Sequence, residues 1–189
     1  MNLRLWILVP ILAMISGIGI AAWRITGIEK SPAYRVYGSW HGTTSLPLNQ
    51  DDLVTTQVTL FALFALPSQE AVYLFASSDD NQKRLNGDNN YTIEGNIHNI
   101  SAEYWSITAY GRDLYLIPNA ANRFSFNRDN LKTDSLGNFK IELSSSQTNG
   151  NWLPTPKGKK FELVLRLYDG DKDFMEHLDK AVLPVIKKL

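Results

Sequence analysis

Ser39 and His41 lie between Gly38 and Gly42 in the run Gly-Ser-Trp-His-Gly, and serine with histidine is the pairing from which a hydrolase builds a nucleophile and its base. The common α/β hydrolases hold that serine at the centre of a Gly-x-Ser-x-Gly elbow, and here it stands one place too early. The histidines, His41, His98 and His177, are scattered, with no His-Glu-x-x-His and no pair at metal-ligand spacing. Asp169, Asp171 and Asp173 alternate as at the start of a calcium loop, but Phe174 follows where the glycine belongs and Lys180 replaces the closing glutamate. These aspartates read as solvated charge at a strand-to-helix corner. The chain has no cysteine, which removes disulfides, thiolate ligands and a cysteine nucleophile, and no glycine-rich phosphate loop. No metal and no cofactor is expected, and no catalytic residue can be assigned from spacing alone.

A second set of residues has binding chemistry. In Ile-Pro-Asn-Ala-Ala-Asn-Arg-Phe-Ser, residues 117–125, Asn119 and Asn122 can close turns through side-chain to backbone hydrogen bonds, while Arg123 can pair with a carboxylate to fix the following strand. The alternative is that both amides and the guanidinium, with Ser125, offer donors to a sugar or a carboxylate. Trp152, in Gly-Asn-Trp-Leu-Pro, is either a plug beneath a loop or a stacking platform. Arg166 shares its strand face with Glu162 and Tyr168, so it either forms a same-face ion pair or reaches out as an anion hook.

The elements that must position these side chains follow from hydrophobic pattern. Of 189 residues, Leu5 to Trp23 (LWILVPILAMISGIGIAAW) carry no charge, and nineteen helical residues span about 28 Å, close to the thickness of bilayer hydrocarbon. Trp6 and Trp23 stand near the ends as interfacial aromatics do. A cleaved signal peptide is the rival reading, with Gly19-Ile20-Ala21 as a small-x-small site; the apolar run exceeds a typical signal core, which favours an anchor. Arg24, Lys30 and Arg35 after the span would draw the body inward, whereas a lone N-terminal span ahead of one long domain usually exports it. The balanced charge, nineteen basic against nineteen acidic residues, leaves no excess to neutralise phosphates, so nucleic acid is not an expected partner.

Residues 1–30 are thus expected to be anchor and linker, and residues 31–189 one β domain. Tyr34–Trp40 predicts a strand, Gln50–Leu66 an amphipathic helix ended by Pro67, and Glu70–Ser77 a central strand. Beyond Tyr91 the alternation is strand-like: Trp105, Ile107 and Ala109 against Tyr104, Ser106, Thr108 and Tyr110, and Phe161, Leu163, Leu165 and Leu167 against Glu162, Val164, Arg166 and Tyr168. Turns at Gly137-Asn138 and Asn149-Gly150 separate such runs, predicting an antiparallel sandwich of jelly-roll type with one or two short helices. Phe174 and Leu178 form a short helical stripe, and residues 185–189 predict a closing edge strand.

The stretch Tyr104–Tyr168, with its aromatic-Trp-Ser opening, Pro-Asn-x-x-Asn-Arg-x-Ser turn, Gly-Asn-Trp-Leu-Pro loop and closing Leu-Arg-Leu-Tyr strand, resembles the domain of unknown function 1214 family. That family is mostly bacterial and its activity is not settled. The resemblance runs from Tyr34 to the C-terminus, implies a β domain exported across the inner membrane, and implies a partner, because such domains stand behind either a domain of unknown function 1254 or a membrane span. The expectation is therefore a single-pass inner-membrane protein, held in the bilayer through residues 5–23, with its C-terminal domain on the periplasmic or outer side. Its function would be to bind a protein partner, such as a separately encoded domain of unknown function 1254 protein, or a small polar ligand. The alternative is a hydrolase whose carboxylates, histidines and arginines converge only in three dimensions.

Overall fold

The structure, a computed structural model, describes residues 3–26, 34–43 and 70–189. The helix expected over Gln50–Leu66 and most of the linker before Tyr34 lie outside the described residues.

The first element is α1, Leu3–Thr26, which accommodates Pro10 within its length. Its window Trp6–Trp23 is long and apolar enough to cross a bilayer, and none of it is buried against protein. Among the described residues ten strands follow: β1 Tyr34–Tyr37, β2 Trp40–Thr43, β3 Ala71–Ala76, β4 Tyr91–Asn96, β5 Ala102–Gly111, β6 Ser125–Asn127, β7 Asn138–Ser144, β8 Trp152–Pro154, β9 Phe161–Gly170 and β10 Val185–Lys188. They form two sheets, one in the order β1-β2-β3-β9-β5-β6 and the other β10-β4-β7-β8. The segment read as one strand over Tyr34–Trp40 is a hairpin instead, because Gly38 turns the chain at φ +62° and Tyr37 pairs back onto Trp40. All pairings are antiparallel except β7 with β8, which run parallel.

Strand periodicity decides which side chains enter the core. From β9, Phe161, Leu163, Leu165 and Leu167 point inward; from β5, Trp105, Ile107 and Ala109; from β3, Val72, Leu74 and Ala76. The opposing sheet contributes Ile93, Phe139, Ile141, Leu143, Leu153 and Ile186. The two layers meet where Trp105 stacks on Phe139 at 5.7 Å and Tyr91 meets Phe161 edge-on at 6.0 Å. Phe139 can fold its ring over the strand beside it because its cross-strand partner is Gly95, where a Cβ would lie 2.7 Å from the ring. At about 1.5–3 kcal/mol per buried large apolar side chain, a one-residue slip that turned this face to water would cost far more than the domain's stability, so register is fixed.

The central pairing is β5 with β9, in register from Ala102↔Gly170 to Gly111↔Phe161. After β9, Asp171 caps the short helix α2, Lys172–Glu176, its Oδ1 accepting from the amides of Asp173 and Phe174. The helix ends before Leu178, which is buried in the turn beyond it. The indole of Trp40 then donates to the Pro184 carbonyl at 2.7 Å, fastening β2 to the segment that leads into β10, the edge strand predicted at the C-terminus.

Candidate functional site

The side chains that alternate with the core on β3, β9, β5 and β6 share the second face of the larger sheet, where Ser106, Thr108 and Val164 are themselves buried. One row across it reads Tyr73, Arg166, Ser106, Asn127; the row on one side holds Tyr168 and Tyr104, and on the other Val164, Thr108 and Ser125. Arg166 lies along this face. It donates to Thr108 Oγ1 at 3.1 Å and to Tyr110 Oη at 2.6 Å, and its guanidinium carbon lies 5.3 Å from the centre of the Tyr110 ring and 5.9 Å from that of Tyr73. Tyr73 and Tyr168 are edge-on with hydroxyls 3.3 Å apart, Tyr168 leans on Tyr104 at 5.9 Å, and Asn127 Nδ2 donates to Tyr104 Oη. Burial, then the hydrogen bond with Tyr73, pushes the Tyr168 hydroxyl up to about 12, with Arg166 opposing the shift. Tyr168 therefore remains a protonated donor throughout the physiological range.

No ion pair joins Arg166 to a carboxylate among the described residues; the pairs that form are Lys140–Glu142, Lys172–Glu176, His177–Asp173 and Lys187–Glu94. The same-face pairing with Glu162 is absent because the two stand four positions apart on the strand, about 13 Å at strand rise. Glu162 is held above the ordinary carboxylate range mainly by burial, with Arg84 and Arg112 as the charges that oppose it.

The other predicted residues are distributed by the same topology. Asn119 closes its turn: Nδ2 donates to the carbonyls of Ile117 and Arg123, and Oδ1 accepts from the Arg123 amide, each at 3.0 Å. Asn122 occupies the left-handed region at φ +46°, a conformation asparagine tolerates. Arg123 forms no carboxylate pair among the described residues; its guanidinium lies 5.4 Å over the Phe126 ring. Ser125 pairs with Thr108, which brings it to the Arg166 face. Trp152 belongs to the other sheet and is only 8% exposed, with its indole donating to the Ser144 carbonyl, so it offers no stacking platform. Of the candidate set, the fold unites Arg166 with Ser125 and holds Trp152 apart.

A cleft of about 770 Å³ crosses the outer face of the smaller sheet, lined by Glu94, Asn96, Asn138, Lys140, Glu142 and Asn151 among others. Its polar groups are largely spent on one another. Asn96 donates to Leu136 O and Asn138 Oδ1, Asn151 Nδ2 to Lys132 O and Lys140 O, and Glu94 and Lys140 are paired with Lys187 and Glu142. Arg166, by contrast, has no carboxylate partner among the described residues. Sequence reasoning missed Tyr73, Tyr104, Thr108 and Tyr110 as neighbours of Arg166; their alternation was visible, but which rows align depends on register between strands distant in sequence.

The family model described as a protein of unknown function (DUF1214) matches residues 70–172, the interval that holds the Arg166 face and most of the core. The chain belongs to this family. Among solved structures it is similar to the VPA0106 protein from Vibrio parahaemolyticus, with 27% identity and a TM-score of 0.62, over 75% of this chain and 36% of that one. It is also similar to a putative uncharacterized protein from Burkholderia cenocepacia, with 16% identity and a TM-score of 0.45, over 94% of this chain and 42% of that one. The DUF1214 chain thus spans well under half the length of either solved relative. No curated protein matches it.

Proposed function

We propose that this DUF1214 protein is a single-span membrane protein whose β domain faces outward and binds a polar ligand or a protein partner. The observation that carries the binding role is Arg166: half-buried, ringed by tyrosines, and without a carboxylate partner among the described residues. The apolar window Trp6–Trp23 supports the anchor. Among the described residues, separation of the groups with shifted acidity speaks for binding over hydrolysis: Glu94 and Lys187 form a surface pair, Asp134 is held by Asn138, and Glu162 and Tyr168 stand six residues apart on β9. A hydrolase needs two such groups within reach of one reacting atom. A separately encoded domain of unknown function 1254 protein is the proposed macromolecular partner, on the ground of the family resemblance.

Two measurements test this reading. An alkaline phosphatase fused after Leu189 is expected to be active, because that reporter works only outside the cytoplasm; an inactive fusion with a fluorescent cytoplasmic counterpart reverses the orientation. A thermal-shift screen of polar small molecules against the detergent-solubilised full chain is expected to yield stabilising ligands whose effect is lost in Arg166→Gln. Ligands that stabilise both proteins equally would move the site elsewhere.

A further inference from the structure

We infer that the Arg166 face takes a carboxylate carried on a hydroxyl-bearing ring of sugar size, that is, a sugar acid of the uronate type. This inference rests on the binding reading above and names its ligand.

A guanidinium has five N–H donors, of which two are spent here on Thr108 and Tyr110, so three remain. A charged donor placed against hydroxyls alone has unused electrostatic capacity, and an ionised acceptor forms bonds roughly twice as strong as a neutral one. The guanidinium fork matches the two oxygens of a carboxylate. A phosphate dianion fits less well, because among the described residues Arg166 is the only arginine or lysine in its row and the rows on either side.

The surroundings of Arg166 specify what the carboxylate is attached to. Tyr110 Oη, half-buried, accepts from Arg166 and so keeps its own proton to donate, whereas Thr108 is buried beneath the guanidinium and serves to hold it. Tyr73 and Tyr168 share one hydrogen bond between two hydroxyls, leaving one further proton for a ligand oxygen. Tyr104, 39% exposed, and the Tyr168 ring leaning on it present aromatic surface next to these hydroxyls. Aromatic surface rimmed by hydroxyl donors suits a pyranose, which has apolar C–H patches on its faces and hydroxyls around its edge. A purely apolar carboxylate, such as a fatty acid, would leave those donors unpaired.

The test is calorimetric titration of the full chain in detergent micelles with sodium D-glucuronate, D-glucose, sodium acetate and inorganic phosphate. Glucuronate is expected to bind saturably and more tightly than the other three. Arg166→Gln should weaken it at least tenfold; Arg123→Gln, beyond the face, should leave it unchanged. Arg166→Lys keeps the charge but loses the fork and should fall between, and Tyr104→Phe, at an exposed position, serves if the arginine variants do not fold. Equal binding of glucose and glucuronate, or tighter binding of phosphate, overturns the carboxylate assignment. So does glucuronate binding that Arg166→Gln does not change. If glucuronate fails while the thermal-shift screen finds a ligand that needs Arg166, the uronate class is wrong and the binding reading stands. If no ligand needs Arg166, both are wrong.

Discussion

Single side chains in this domain separate into those that hold the fold and those that face outward. Trp152 is of the first kind: buried, with its indole bonded to Ser144 O, so Trp152→Ala should cost about 3–5 kcal/mol through the cavity it leaves. Denaturant unfolding of wild type and variant measures this, and a loss below about 1 kcal/mol would mean the loop collapses into the space. Glu162 gives a pH signature. Its folded pKa lies above the ordinary value, so the folded state binds more protons than the unfolded one, and its contribution to stability falls as pH rises from the ordinary carboxylate range through the folded value. The advantage of Glu162→Gln over wild type in melting temperature should therefore grow from acid to neutral pH. Glu94, lowered chiefly by its hydrogen bond from Lys187, has the opposite sign: its contribution is present above the ordinary value and is lost as pH falls through the folded one. A pH-independent gap for Glu162→Gln would show that burial does not control this carboxyl.

At the scale of elements, the turn before β6 places Ser125 on the Arg166 face, and Asn119 maintains that turn. Asn119→Ala removes three hydrogen bonds from an exposed turn that water can partly resatisfy, so a loss of about 1 kcal/mol is expected, read as roughly 2–4 °C in melting temperature. Arg123→Ala, which removes a guanidinium from the Phe126 ring at the surface, should shift the melting temperature less than Asn119→Ala. Should Arg123→Ala unfold the domain as badly as Trp152→Ala, its contact with Phe126 is a structural brace of the turn. The long β5–β9 pair behaves differently, since it holds Arg166, Thr108 and Tyr110 on one rigid surface. A site on paired strands at the centre of a sheet is already ordered before a ligand arrives, which lowers the entropy cost of binding.

For the whole molecule, the distinguishing feature is a long apolar helix ahead of a β-sandwich. Full-length protein is expected in the membrane fraction, released by detergent and retained through high-salt and carbonate washes, because burying an uncharged span of this length is not screened by salt. Soluble full-length protein whose mass shows an intact N-terminus would exclude the anchor. Recovery of a soluble form that has lost the apolar segment would identify it as a cleaved signal.

The sequence by itself determined the apolar span, the β class, the inward set of alternate residues on β5 and β9, and membership of the family. Each is a local matter of period two, run length or motif, and each is legible without knowing which strand lies beside which. Helix α2 was visible as the stripe of Phe174 and Leu178, although its end before Leu178 and its Asp171 cap were not. The tertiary structure alone decided that Tyr34–Trp40 folds back as a hairpin, that β8 joins β7 in parallel, and that Trp152 is enclosed by the other sheet. It also decided the neighbours of Arg166. Glu162 looked available because it shares the strand face, but strand rise puts it out of reach, whereas register brings Tyr73 from ninety-three residues earlier and Thr108 from fifty-eight residues earlier against the guanidinium. Periodicity tells which face a side chain occupies; only the pairing of distant strands tells what it meets there.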